Sequence, residues 1–126
     1  MIVVDTAVWI DHLRDGDPHL GSLLDRGLVL GHPSVTAELA MGSIRNRLEI
    51  LRLLDDLPQA IVARAAEVRE FVERHELFGA GIGYVDAQLL AATMLSTDAA
   101  LWTRDRRQHA SAQRLGLAYA PSDALS

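Results

Sequence analysis

Apolar residues along this chain follow two rhythms. Short unbroken runs, Ile2-Val3-Val4, Leu28-Val29-Leu30 and Ala100-Leu101-Trp102, alternate with longer stretches where apolar residues return every third or fourth place. A continuous apolar run predicts a strand covered on both faces, as in parallel sheets. The three- and four-residue spacing predicts amphipathic helices. Strand one covers residues 2–5. A helix through 7–13 is stopped by Gly16 and Pro18. A short helix around Leu20, Leu23 and Leu24 ends at Gly27, because glycine tolerates the left-handed cap conformation. Residues 28–30 form strand two. After Pro33 and Ser34 comes a helix with Val35, Glu38, Leu39 and Met41, ended by Gly42. Residues 44–54 align Ile44, Leu48, Leu51 and Leu54 on a helical face. Pro58 opens a segment in which Ile61, Val68, Phe71 and Val72 line a long helix ending near His75. Gly79, Gly81 and Gly83 form a loop before a helix from Tyr84 to Ser96. Strand three covers 100–103, a helix covers 106–115, Gly116 caps it, and Leu117-Ala118-Tyr119 is a last edge strand. Trp9, Ile10, Leu13, Leu20, Leu23 and Leu24 are expected in the core. This alternation predicts an α/β fold, a parallel sheet with helices on both faces, in one domain spanning 1–126.

Composition narrows the chemistry. No apolar run approaches the ~18 residues a membrane span needs, and the N-terminus lacks the basic region of a signal peptide; a cytoplasmic protein is expected. The absence of cysteine excludes disulfides, iron–sulfur clusters, thiolate zinc sites and thiol nucleophiles. Arginine supplies all 12 basic residues. Without lysine there is no Schiff base, no P-loop lysine and no lysine partner for an aspartyl phosphate. A net charge of −5 argues against a general nucleic-acid binder. It leaves room for an enzyme that holds cations in an acidic pocket and meets phosphates with local arginines.

Four acids fall at corresponding places on this map. Asp5 ends strand one, and Asp105 lies just past strand three. Glu38 is on the helix after strand two, and Asp86 is in the first turn of the helix after the glycine loop. In a parallel sheet, strand ends and the following helix starts share one edge, where ligands bind. Taken singly, each acid has an ordinary explanation as a helix cap or a partner of the helix dipole. Together they repel unless a cation neutralises them. Oxygen-only donors suit a hard metal, Mg²⁺ or Mn²⁺. Such ions orient a water, lower its pKa and stabilise a leaving oxygen on phosphates, so metal-assisted phosphodiester hydrolysis follows as the reaction class.

The motifs that carry these acids resemble a known family. Val4-Asp5-Thr6 with Trp9-Ile10, Ser34-Val35-Thr36-Ala37-Glu38-Leu39 with Gly42, Tyr84-Val85-Asp86-Ala87-Gln88-Leu89-Leu90-Ala91, and Leu101-Trp102-Thr103-Arg104-Asp105 are similar to the PIN domain. Length and motif order are most similar to the VapC toxins of type II VapBC toxin–antitoxin pairs. The resemblance covers essentially the whole chain. It implies a three-layer α/β/α sandwich and an Mg²⁺- or Mn²⁺-dependent endoribonuclease that hydrolyses RNA. It assigns the metal and the catalysis to Asp5, Glu38, Asp86 and Asp105, with Thr6 and Thr103 supporting the site. It also implies a VapB-type antitoxin seated in a groove formed partly by the first helices, a homodimer, and contact with DNA only through the antitoxin. Ala7 stands where serine is common, and no phenylalanine follows Asp105.

Two rival readings have distinct signatures. A metal-dependent phosphatase with Asp5 as nucleophile usually carries Asp-x-Asp, but Ala7 occupies the second place and the lysine is missing. A catalytically inert module acting through protein partners would need none of the acids. Arg104, Arg106 and Arg107 flank the expected metal site and are candidates to grip RNA phosphate, as guanidinium does bidentately. The five histidines show no metal-ligand spacing. Asp11, Asp15, Asp17, Asp55 and Asp56 fall in solvent-facing or turn positions.

Overall fold

The computed structural model describes residues 1–121. In chain order the elements are β1 (Ile2–Val4), α1 (Thr6–Asp15), α2 (Pro18–Asp25), β2 (Val29–Leu30), α3 (Pro33–Ala40), α4 (Arg47–Asp56), α5 (Ala65–Arg74), α6 (Tyr84–Leu95), β3 (Ala100–Trp102) and α7 (Arg106–Arg114). The three strands form one parallel sheet in the order β2-β1-β3. Ile2 and Val3 pair with Val29 and Leu30 on one side, and Ile2, Val3 and Val4 pair with Ala100, Leu101 and Trp102 on the other. Successive strand residues point to opposite faces, yet Ile2, Val3 and Val4 are all buried. Both faces of β1 are therefore covered, as the expected three-layer α/β/α arrangement requires.

This topology decides where chemistry happens. The chain leaves β1, reaches β2 on one side through α1 and α2, and later reaches β3 on the other. The carboxyl end of the central strand is thus the point where the connections diverge, the usual ligand crevice of an open parallel sheet. The Asp5 amide continues the ladder by donating to the Trp102 carbonyl at 3.0 Å, so the strand pairing places Asp5 at that crevice.

The core is centred on β1, β3 and α6. Ala87, Leu89, Leu90, Ala91, Ala92 and Thr93 of α6 are buried, which marks a core helix rather than an amphipathic surface helix. The Thr93 hydroxyl is satisfied by the Leu89 carbonyl at 2.6 Å. Each fully buried leucine here contributes about 1.5–3 kcal/mol by leaving water. No helix among the described residues is long and apolar enough to cross a membrane.

Several sequence expectations shift. Ile44 lies outside α4, which starts at Arg47, because Asn46 takes a left-handed conformation (φ 53°). Ile61 is exposed and precedes α5. That helix starts only after Arg64, whose amide donates to the Glu67 carboxylate at 2.9 Å, a local cap that overrides the apolar spacing. Trp9, Leu20 and Leu23 are buried, Leu13 and Leu24 are half-buried, and Ile10 is exposed. The expected last edge strand contributes one parallel bridge, Leu101 to Ala118. Two backbone bonds hold it, from the Leu101 amide to the Leu117 carbonyl at 2.7 Å and from the Tyr119 amide to the Leu101 carbonyl at 2.9 Å.

Candidate metal-dependent active site

Four separate elements deliver the four predicted acids. Asp5 follows β1 and precedes α1, Glu38 is in the last turn of α3, Asp86 is in the first turn of α6, and Asp105 precedes α7. Asp5 lies in the field of Asp86 and Glu38, and Asp86 in that of Asp105 and Glu38. The fold therefore assembles in space what lies a hundred residues apart in the chain.

Each carboxylate is held through one oxygen. Asp5 is buried and accepts the Thr103 hydroxyl on Oδ2 at 2.9 Å. Although Asp5 occupies the N-cap position of α1, its side chain makes no cap bond. Glu38 accepts the Thr6 hydroxyl on Oε1 at 2.7 Å. Asp86 accepts the Gly83 amide on Oδ2 at 3.1 Å. Asp105 caps α7, accepting the Arg107 and Gln108 amides on Oδ1 at 2.9 and 3.0 Å. Apart from the Thr6 amide, which lies close to the Asp5 carboxylate, the second oxygen in each case has no hydrogen-bond partner among the described residues. The capping explanation is thus true of Asp86 and Asp105, and in both it consumes only one oxygen.

The electrostatics show the strain of this grouping. Burial pushes the Asp5 carboxyl above its ordinary value of 3.8; the Thr103 hydroxyl and Thr6 amide pull it back, and Asp86 and Glu38 push it further up. Asp86 is also raised, by burial first, against the Gly83 amide, with Asp105 and Glu38 adding repulsion. Like charges crowded in this way around a buried carboxylate are relieved by a cation. Among the described residues, no three such side chains converge closely enough to enclose an ion as they stand. The fit of a divalent metal rests on the donor set: four carboxylates, with no cysteine in the chain to favour a softer ion.

Both predicted threonines hold acids, Thr6 on Glu38 and Thr103 on Asp5. The arginines divide. Arg104 bridges Asp11 and Asp17, the latter at 2.8 Å, and lies over the Trp102 ring at 5.7 Å. It ties α1, α2 and the β3 end together. Asp17, placed in a turn from the sequence, also caps α2 through the His19 and Leu20 amides at 2.9 and 3.0 Å. Burial favours its neutral form, but these amides and Arg104 outweigh that and lower its pKa. Arg106 and Arg107 make no ion pair among the described residues and are exposed. Arg107 lies across Gly81, where an added Cβ would come within 2.7 Å of the Arg107 side chain.

Other polar residues escaped the sequence reading. Ser34 donates to Gln88 at 2.9 Å, tying the Glu38 helix to the Asp86 helix. Gln108 is wholly buried beside Thr103. A signal existed for it: Gln108, Ser111 and Ala112 form the inward stripe of α7, and a glutamine on such a stripe needs a partner.

This fold is that of a PIN domain, and a PIN domain family model matches residues 2–114. The chain belongs to the PIN domain family. It is 47% identical over 120 residues to Ribonuclease VapC32 of Mycobacterium tuberculosis (strain CDC 1551 / Oshkosh), covering 95% of this chain and 97% of that protein. The same values hold for Ribonuclease VapC32 of Mycobacterium tuberculosis (strain ATCC 25618 / H37Rv).

Proposed function

We propose that this protein is a VapC-type endoribonuclease, the toxin of a type II toxin–antitoxin pair, acting as a single domain on cytoplasmic RNA. The observation that supports this reading is the mutual repulsion that links Asp5 to Asp86 and Glu38, and Asp86 to Glu38 and Asp105, beyond the carboxyl end of β1. Asp5, Glu38, Asp86 and Asp105 would hold Mg²⁺ or Mn²⁺. When bound, such an ion would supply an activated water and neutralise charge on the scissile phosphate, and the expected products carry 5′-phosphate and 3′-hydroxyl ends. The chain's own residues do the positioning. Thr6 and Thr103 fix the rotamers of Glu38 and Asp5, and the Gly83, Arg107 and Gln108 amides fix Asp86 and Asp105. Arg106 and Arg107 flank Asp105 in sequence and offer exposed charge to RNA phosphates.

The same reading supplies partners. A cavity of about 300 Å³ lined by Trp9, His12, Leu13, Leu24, Ile50, Leu53, Leu54 and Leu57 gives an apolar segment of a VapB-type antitoxin a seat. Ile10 and Leu48 are exposed apolar residues on the helices that build it. The family reading also gives a homodimer, with contact with DNA running only through the antitoxin. Purified antitoxin-free protein should cleave RNA with Mg²⁺ or Mn²⁺ and stop on addition of EDTA. Asp5→Asn and Asp86→Asn should abolish cleavage with the fold retained. Undiminished cleavage in EDTA refutes the metal mechanism.

A further inference from the structure

One buried polar group at the site has no partner. Gln108 is fully buried, and its Nε2 makes no hydrogen bond among the described residues. Its Oε1 lies 2.9 Å from the Thr103 hydroxyl, which lies equally 2.9 Å from Asp5 Oδ2. The hydroxyl has one proton and cannot serve two acceptors. The Asp105 amide already donates to the same oxygen at 3.1 Å. An orphaned buried N–H costs about 1–3 kcal/mol. Amide oxygen and nitrogen are assigned from the bonding network around them. Turning the Gln108 amide end for end removes the conflict over that proton: Nε2 donates to Thr103 Oγ1, the hydroxyl proton points at Asp5 alone, and the carbonyl oxygen rather than the N–H group takes the unpartnered place.

We propose that Gln108 is a positioning residue for Asp5, acting through Thr103. The inference rests on the metal-nuclease reading of the four acids. Gln108 and the Asp105 amide fill the acceptor side of the Thr103 oxygen, so its proton has one direction left, toward Asp5 Oδ2. That bond fixes the Asp5 rotamer and leaves Oδ1 for the metal. One short stretch, Thr103 to Gln108, thereby links two of the four acids: Asp105 caps the helix that carries Gln108, and Gln108 orients the threonine that holds Asp5. Replacing a residue that orients a metal ligand typically costs 10–100-fold in activity or metal affinity.

The test combines nuclear magnetic resonance with a mutant cycle on the full chain. In wild-type protein the Gln108 side-chain amide protons should be protected from exchange, and their resonances should move in Thr103→Val. Gln108→Met should cleave RNA about tenfold more slowly at saturating substrate, with KM unchanged. The Gln108→Met, Thr103→Val double variant should be no slower than Thr103→Val alone, because Gln108 has nothing left to orient. Gln108→Glu, whose carboxylate would draw the Thr103 proton away from Asp5, should lose more activity than Gln108→Met. Unshifted Gln108 amide resonances in Thr103→Val overturn the proposal, as do rate losses that multiply in the double variant. If wild-type protein cleaves no RNA with either metal, the nuclease reading fails while the resonance measurement still decides the hydrogen bond. If Gln108→Met does not fold, comparing wild type with Thr103→Val still decides it.

Discussion

Replacing Asp105 by alanine and, separately, by asparagine separates two jobs of one carboxylate. Its Oδ1 accepts the Arg107 and Gln108 amides that open α7, at 2.9 and 3.0 Å. Alanine removes that acceptor and strands both donors, at a cost of about 1 kcal/mol. For a chain of this length, that lowers the melting temperature by about 4 °C. Asparagine keeps an oxygen for the same amides and ranks with aspartate as an N-cap. It forgoes the attraction between a carboxylate and the helix N-terminus, about 0.3–1 kcal/mol. It also relieves the repulsion that Asp105 exerts on Asp86, so the two effects oppose each other and the melt should stay close to wild type. Both variants lose the anionic oxygen offered to the metal, so RNA cleavage should fall at least tenfold in each. The assay is thermal melting by circular dichroism in EDTA, paired with cleavage at saturating Mg²⁺. Equal melts for the alanine and asparagine variants would refute the capping argument. Wild-type cleavage by the asparagine variant would remove Asp105 from the metal site.

Three further outcomes are expected. Asp5 and Asp86 bind protons more tightly folded than unfolded, so metal-free stability falls as pH rises from their ordinary 3.8 through their raised values; Asp5→Asn should therefore resist urea better than wild type near neutral pH, lose that advantage in acid, and cleave no RNA, and a constant advantage across pH would contradict the sign. Arg106→Ala and Arg107→Ala should each weaken RNA binding and reduce its salt slope by about one, while an unchanged slope in titrations at several salt concentrations removes that arginine from the interface. Gly81→Ala forces a side chain into φ +79° and against Arg107 at 2.7 Å; it should cost about 1–2 kcal/mol for the backbone alone, so an unaltered melting curve would show that the loop relaxes freely.

Much of the site was legible because its signals are local. The apolar runs announced buried strands, and an acid after each of the outer motifs announced the strand edge. The PIN-like motifs carried the same four residues. Expectations failed where another local device intervened, as at Asn46, whose left-handed backbone starts α4 later than the leucine spacing suggests. At Arg64 and Glu67 a capping pair likewise starts α5 after Ile61. The ion pairs of Arg104 were hidden for a different reason: its partners Asp11 and Asp17 lie 93 and 87 residues away, and no spacing rule reports that distance.

The sequence by itself determined the alternation of elements and the parallel sheet, and it nominated the four acids. These depend on backbone preference and hydrophobic burial, which are read from neighbours a few places apart. The tertiary structure decided which oxygen of each acid stays uncommitted, which arginines keep their charge available, and that Gln108 stands behind Thr103 and Asp5. Those outcomes depend on hydrogen-bond partners brought together across 98 residues, as for Thr103 and Asp5. A hydrogen bond is made or lost over a few tenths of an ångström, a precision that only the packed structure sets.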